Sequence, residues 1–114
     1  MNDRSALEWL RDARNFAAEA REMALGFKPG SFDTSRRDQL AVRYCLAVVG
    51  EALNRVPKDI QALASEIPWV AIYNLRNRLV HGFWLIDTGI ILRIAQNDTN
   101  PLVVSIDRLI EKIE

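Results

Sequence analysis

The segment TSRRDQLAVRYCLAVVGEALNRV, residues 34–56, decides the fold class, because its apolar residues recur every three or four positions. These apolar residues are Leu40, Ala41, Tyr44, Cys45, Val48, Val49, Ala52, Leu53 and Val56. Such spacing places one apolar face along an α-helix. Asp33 or Thr34 offers a side-chain oxygen to cap the first free amides, and Pro57 ends the pattern. The segment therefore predicts a long amphipathic helix that starts near Asp33 or Thr34.

The segment before it predicts another long helix. From Ser5 to Leu25, apolar residues recur at spacings near three and four, with charged residues on the opposite face. Gly26 is expected to end this helix, because glycine takes the left-handed cap conformation without steric cost. Residues 26–34, GFKPGSFDT, hold two glycines and a proline and predict a loop.

The remainder of the chain also has helical periodicity. A short helix is predicted from Lys58 to Ser65, and a longer one from Pro68 to His81, where Gly82 is a natural stop. A further helix is expected after Asp87 or Thr88, interrupted by QNDTNP at residues 96–101, and Pro101 is expected to begin or kink a last helix. Gly89 to Ile94 is the one stretch where a strand is an alternative.

These patterns predict an all-α fold. We expect one helical domain over residues 1–114, built as an antiparallel bundle of four to five helices, because short loops join antiparallel neighbours. With 15 basic and 15 acidic residues, the chain has no net charge. This excludes a polybasic protein that binds nucleic acid through its overall charge, but it does not exclude a local basic site. No apolar run approaches the roughly 20 residues that span a bilayer, and no signal peptide is evident, so we expect a cytoplasmic protein.

Residue types exclude several kinds of active site. His81 is the only histidine, so a zinc site with two histidines is excluded, and no acidic cluster has metal-binding spacing. We therefore expect no metal and no cofactor. Cys45 is the only cysteine, and its place on an apolar face predicts a buried thiol rather than a nucleophile.

A local basic stretch is the candidate for chemistry. Residues 67–86 contain no acidic residue but include Arg76, Arg78 and His81. Asn77 and His81 share a helix face, whereas Arg76 lies roughly 140° from His81 around the helix. A symmetric dimer would ease this separation, since two copies of the helix can face one groove.

The residue types suit cleavage of RNA by its own 2′-hydroxyl. An arginine binds a phosphate through two fixed donors, and an imidazole takes or gives a proton near neutral pH. The alternative is a solvated helix end in which His81 only favours the helix dipole. Glu51 is either a partner for a basic group in the groove or a surface carboxylate, and Arg36 and Arg37 are interpreted as solvated surface.

The segment RNRLVHGF, residues 76–83, resembles the signature of the HEPN superfamily. Three longer segments resemble its HepT-like branch, the toxin half of HEPN/MNT pairs: GEALNRVP at 50–57, EIPWVAIYNLRNRLVHGFW at 66–84 and QNDTNPLVVSIDRLIEKI at 96–113. The resemblance implies a helical homodimer in which two signature helices line one cleft. It also implies a metal-independent endoribonuclease that acts on RNA, with Arg76 and His81 catalytic and with Asn77 and Arg78 supporting them.

The resemblance further implies a partner, a minimal nucleotidyltransferase (MNT) that acts as antitoxin. Such a partner can transfer adenylyl groups to a tyrosine two residues after the histidine. That position is Phe83 here, which has no acceptor hydroxyl, and neither Tyr44 nor Tyr73 stands at the matching place. The antitoxin would then act by other means, such as occluding the cleft. Alternatively, Phe83 marks a protein that has lost its toxicity, or an engineered substitution.

Three functions from different classes follow from the sequence. The first is a toxin ribonuclease of a type II toxin–antitoxin pair. The second is a non-catalytic HEPN dimer that binds nucleotide, RNA or a nucleotidyltransferase. The basic stretch without acidic residues and the apolar run Phe83 to Ile86 favour it. The third is an interaction subunit without any nucleotide contact.

Overall fold

A computed structural model describes residues 4–28, 30–82 and 86–114, and all regular elements in these ranges are helical. They are α1 (Ala6–Ala24), α2 (Arg36–Asn54), the one-turn α3 (Lys58–Gln61), α4 (Trp69–His81), α5 (Thr88–Arg93) and α6 (Thr99–Ile113), with a 3₁₀ turn at Phe32–Thr34. None of these helices is long and apolar enough to cross a membrane. The all-α prediction is confirmed for the described ranges, and Gly89 to Ile94 is helical rather than a strand.

The helices pack antiparallel, as predicted. The start of α1 meets the end of α2, where the Arg55 guanidinium lies 5.8 Å from the Trp9 ring, and further along Phe16 of α1 contacts Tyr44 of α2. Helix α4 lies against α2, and α6 lies against α1. Helices α1 and α2 are therefore the centre of the bundle, and α4 is held mainly by α2.

Helix α1 packs through a line of small side chains. Its buried residues are Leu10, Ala13, Ala17, Ala20 and Ala24. The alternating spacing of three and four keeps them on one face, and the small alanines let neighbouring helices approach closely. The helix begins at a capping box in which the Ser5 hydroxyl accepts from the Glu8 amide and the Glu8 carboxylate accepts from the Ser5 amide.

The apolar face predicted for α2 is only partly buried. Val49, Ala52 and Leu53 are in the core, whereas Leu40 and Tyr44 are exposed. The Tyr44 ring meets Phe16 edge-on at 6.3 Å between centroids, yet 64% of its surface remains accessible. The apolar face is wider than the surface that α1 and α4 cover, which leaves its N-terminal edge in solvent.

The interruption predicted at residues 96–101 is present, but it is helical and begins earlier, at Ile94. The chain continues from α5 to α6 through a π-helical turn, Ile94–Asp98, and Pro101 lies in the first turn of α6. A proline ring clashes with the carbonyl four residues earlier in a regular α-helix, and a widened turn relieves that clash. The buried Thr99 hydroxyl donates to the Ala95 carbonyl at 2.7 Å and stabilises the turn.

Some predicted boundaries also need correction. Gly26 does not adopt a left-handed conformation; within the described ranges only Gly30 has a positive φ, of 89°. Helix α1 ends instead in a turn in which the Phe27 amide donates to the Ala24 carbonyl at 3.2 Å. Helix α2 starts at Arg36, because the residues before it form the 3₁₀ turn, and α3 ends at Gln61, four residues before its predicted end.

Cys45 is buried as predicted, and this burial has a measurable consequence. Burial, aided by the nearby carboxylate of Glu19, raises the pKa of the Cys45 thiol to about 11. At pH 8 the thiolate fraction would be on the order of 0.001, against roughly 0.2 for an ordinary thiol. Alkylation by iodoacetamide at pH 8 is expected to be at least about 100-fold slower for the native than for the urea-unfolded protein. Equal rates would contradict this placement of Cys45.

Candidate active site

Helix α4 carries the basic stretch, and hydrogen bonds define its two ends. At its start, the Trp69 indole donates to the Ala64 carbonyl at 3.0 Å and fixes the turn around Pro68. At its end, the Gly82 amide donates to the Arg78 carbonyl at 2.9 Å. Leu79 is buried against α2, so the neighbouring residues of this last turn point away from the core.

An open hollow of about 550 Å³ lies along the outer face of α4. It is lined by Tyr73, Arg76, Asn77, Arg78, His81 and Gly82. His81 is exposed to solvent rather than sealed in the core, and Arg78 is exposed as well. The hollow thus presents cationic groups and an imidazole at the surface, with a phenol at one end.

Arg76 is held in a defined position by two polar partners. Its Nη1 donates to the Asn77 Oδ1 at 2.8 Å, and its Nη2 lies 2.9 Å from the Glu51 Oε1. The Arg76 Nε is buried and has no hydrogen-bond partner among the described residues. The guanidinium is therefore fixed on one side and open towards the hollow on the other.

Of the two alternatives left open for Glu51, the structure supports a partner for a basic group, since its carboxylate contacts Arg76. Glu51 is half-buried, and its second oxygen, Oε2, accepts from the Nε of Arg55 at 2.8 Å. Arg55 in turn lies over the Trp9 ring, which is also covered by Arg4 with its guanidinium carbon 4.4 Å from the ring centroid. One carboxylate thus connects two guanidinium groups, one on its own helix and one on α4.

Gly50 lets α4 approach α2 at Arg76. A Cβ added at Gly50 would overlap the Cβ of Arg76. It would also lie 3.2 Å from the Ile72 carbonyl oxygen. Glycine in a helix interior costs up to about 1 kcal/mol relative to alanine. Its presence here is explained by the contact, since the stem of Arg76 occupies the space that a side chain would take.

Arg43 ties the segment after α4 back to the bundle. Its Nη2 donates to the Ile86 carbonyl at 2.7 Å in a buried setting. Burial lowers the pKa of the Arg43 guanidinium, and the negative charge of Asp87 partly opposes that effect. The contact fixes where the chain returns to the core soon after His81.

The structure brings most of the predicted site residues together. Arg76, Asn77, Arg78 and His81 border the same hollow within one chain, although a wide angle separates Arg76 from His81 on the helix. A symmetric dimer was expected to ease this separation, and within one chain the residues already border a common hollow. Phe83 lies outside the described residues.

Three residues around the site were not predicted from the sequence. Gly50 and Arg43 were not singled out, and neither was Arg55 as a partner of Glu51. The spacing of four residues between Glu51 and Arg55 is a usable signal, because it places the pair on one helix face. A glycine inside an apolar helix face is a second signal, since it often marks close approach of another backbone.

Other candidate positions offer less chemistry. A mostly apolar cavity of about 430 Å³ lies on the opposite face of α4, where Ile72 and Leu75 line it together with residues of α1, α2 and α6. It contains no histidine and no arginine. Within the described ranges, no three His, Cys, Asp or Glu side chains are grouped so that they could hold a metal ion.

Comparison with known proteins assigns the chain to a family. Residues 13–109 match the family model described as ribonuclease HepT-like. A Thermococcus cleftensis protein named "Probable ribonuclease HepT" is 28% identical over 78 residues, which cover 68% of this chain and 71% of that protein. A Methanocaldococcus jannaschii protein, named as a candidate RNase, is 26% identical over 108 residues. These residues cover 95% of this chain and 84% of that protein.

Another candidate RNase of Methanocaldococcus jannaschii is 31% identical over 83 residues, 73% of this chain and 69% of that protein. No solved structure matches the chain significantly. The family match extends from the middle of α1 to near the end of α6 and includes every residue of the hollow. The chain therefore belongs to the HepT-like family of the HEPN superfamily.

Proposed function

We propose that the protein is a metal-independent endoribonuclease that cleaves RNA by attack of a 2′-hydroxyl on the adjacent phosphate. The observation that supports it best is that Arg76, Asn77 and His81 border one open hollow in a chain of the HepT-like family. Products of this reaction are a 2′,3′-cyclic phosphate and a free 5′-hydroxyl.

The arginines supply the phosphate-binding side of the site. Arg76 is oriented by Glu51 and Asn77, and each of its terminal nitrogens has a second N–H left for a phosphate oxygen. Two donors in a fixed fork match a phosphate and stabilise the charge that develops on it. Arg78 is exposed beside the hollow and would bind a neighbouring phosphate of the same strand.

His81 supplies the proton transfer. Its imidazole takes the proton of the 2′-hydroxyl while that oxygen bonds to phosphorus and the bond from phosphorus to the 5′-oxygen breaks. The leaving 5′-oxygen then takes a proton from water or from the same residue of a second copy. The exposure of His81 suits this role, because RNA can reach the ring from solvent.

We propose that the site works in a homodimer. Val70, Tyr73 and Val80 are apolar or aromatic residues on α4, and each is exposed by at least 38% of its surface. A second copy of α4 packed against these residues would shield them and bring two hollows together. It would also supply the second imidazole that the leaving oxygen can use.

We also propose that the protein is the toxin of a type II toxin–antitoxin pair, neutralised by a minimal nucleotidyltransferase. The family assignment and the presence of Arg76 and His81 support this proposal. Phe83 excludes AMP transfer at the position two residues after His81, so the antitoxin would act by covering the hollow.

The purified protein is expected to cleave RNA in buffer containing EDTA. Arg76→Ala should lower the rate by about 10²-fold or more, because removing a preorganised donor to a transition-state anion has an effect of this size. Arg108→Ala, which removes an exposed arginine on α6, is the matched control and should cleave like wild type.

Measuring RNA binding beside RNA cleavage distinguishes the non-catalytic function. RNA binding without turnover at micromolar protein would point to the non-catalytic HEPN dimer. Equal cleavage by wild type and Arg76→Ala would refute the assignment of Arg76.

A further inference from the structure

We infer that Glu51 is a positioning residue for RNA cleavage, which sets the orientation of the Arg76 guanidinium from the neighbouring helix. This inference rests on the proposed function. Glu51 does not face the hollow itself, since the lining comes from α4 and Gly82 alone. Its effect on substrate would therefore pass through Arg76, 2.9 Å away.

The geometry favours positioning over simple helix docking. Gly50, next to Glu51, removes the steric barrier that would keep the stem of Arg76 away from α2. The Glu51 carboxylate then contacts the Nη2 of Arg76, and the Asn77 side-chain oxygen accepts from its Nη1. Two acceptors on opposite nitrogens fix the rotation of the planar group, so the remaining N–H donors have set directions.

The charges favour a site that stays positive. A lone carboxylate beside Arg76 would cancel the charge that a phosphate needs. Here Glu51 is shared with Arg55, whose Nε donates to the second carboxylate oxygen at 2.8 Å. Two guanidinium groups and one carboxylate leave a net charge of one positive unit, and Arg78 adds to it without a partner among the described residues.

The pair of Arg76 and Glu51 is also accessible to a ligand. The Arg76 side chain is 24% exposed and that of Glu51 is 33% exposed, so neither is sealed in the core. An incoming phosphate can therefore bind the outward N–H groups of Arg76 while Glu51 continues to hold the inward one. The carboxylate orients Arg76 without having to be displaced.

The first test compares Glu51→Gln with wild type in steady-state RNA cleavage. The variant keeps the size of the side chain but loses its charge. We expect kcat to fall by about 10- to 100-fold, because a misdirected donor weakens transition-state contacts. Affinity for a non-cleavable 2′-deoxy oligonucleotide should be unchanged or tighter, because a negative charge near the phosphates has been removed.

Glu111→Gln is the matched control. Glu111 lies exposed on α6, so this variant makes the same charge change away from the hollow and should leave kcat at the wild-type value. An unchanged kcat in Glu51→Gln would overturn the inference. This includes the case in which only kcat/KM falls and weaker affinity for the 2′-deoxy oligonucleotide accounts for the fall.

The second test does not depend on activity. Rotation of the Arg76 guanidinium about its Nε–Cζ bond can be followed by NMR with nitrogen-15 labelling. We expect restricted rotation in wild type and in Glu111→Gln, and at least about 10-fold faster rotation in Glu51→Gln, since one of two anchoring acceptors is weakened. Equal rotation rates would overturn the inference.

These tests separate the inference from the proposed function. A wild-type protein that fails to cleave RNA overturns the proposed function, whereas the NMR comparison still tests whether Glu51 positions Arg76. Wild-type cleavage with equal activity in Glu51→Gln overturns the inference alone. If Glu51→Gln does not fold, Glu51→Asp replaces it. We again expect a lower kcat and faster guanidinium rotation, because the shorter side chain cannot reach both arginines, but unchanged affinity for the 2′-deoxy oligonucleotide, because the charge is kept.

Discussion

Replacing His81 by alanine is expected to lower the rate of RNA cleavage by about 10²- to 10⁴-fold, the usual contribution of a positioned general acid or base. His81 is the only histidine of the chain and borders the same hollow as Arg76. No other histidine can take over the proton transfer. Cleavage of a labelled RNA, followed in EDTA with enzyme in excess, measures the loss.

The control for His81→Ala is Asn74→Ala. Asn74 is exposed on the same helix but does not line the hollow, so it should leave the rate unchanged. The thermal midpoint of His81→Ala should match wild type within a few degrees, because an exposed side chain is lost. Inducible expression should slow growth for wild type but not for His81→Ala. Undiminished cleavage by His81→Ala would contradict its role.

Gly50→Ala is expected to separate α4 from α2 and to damage both stability and activity. The added Cβ meets the Arg76 Cβ and the Ile72 carbonyl rather than the end of a flexible side chain. Such overpacking costs about 1–3 kcal/mol in the free energy of unfolding, which outweighs the helix propensity that alanine adds. Because Arg76 is displaced, RNA cleavage by the folded protein should fall by about 10²-fold.

Urea unfolding and RNA cleavage measure the two effects of Gly50→Ala. Gly26→Ala is the matched control, since an added Cβ there meets nothing within 4 Å and Gly26 has no positive φ. That control should be as stable and as active as wild type. A Gly50→Ala protein with wild-type stability would show that α4 does not approach α2 as closely as described.

Helical periodicity predicted the elements of the bundle because it depends on each segment alone. The apolar faces of residues 5–25 and 34–56 correspond to α1 and α2, and Pro68 and Gly82 bound α4 as expected. The π-helical turn at Ile94–Asp98 was not predicted, because QNDTNP has the composition of a loop. Its helical form depends on tertiary packing and on the Thr99 hydroxyl bond to Ala95.

The candidate site was partly predictable. The spacing of Arg76 and His81, with Asn77 and Arg78 between them, singled out the residues that line the hollow. The role of Glu51 stayed open, because the sequence does not tell which face of α2 meets α4. That contact depends on a close approach of two helices, which is a property of the packed bundle.

The most direct test of the account is the chemistry of the cleaved ends. An RNA cut by wild-type protein in EDTA is resynthesised with a single 2′-deoxyribose on the 5′ side of the mapped scissile phosphate. Attack by the 2′-hydroxyl predicts 2′,3′-cyclic phosphate and 5′-hydroxyl ends on the unmodified RNA and no cleavage of the substituted one. Cleavage of the substituted RNA at the same phosphate, or products with 3′-hydroxyl and 5′-phosphate ends, would contradict attack by the 2′-hydroxyl.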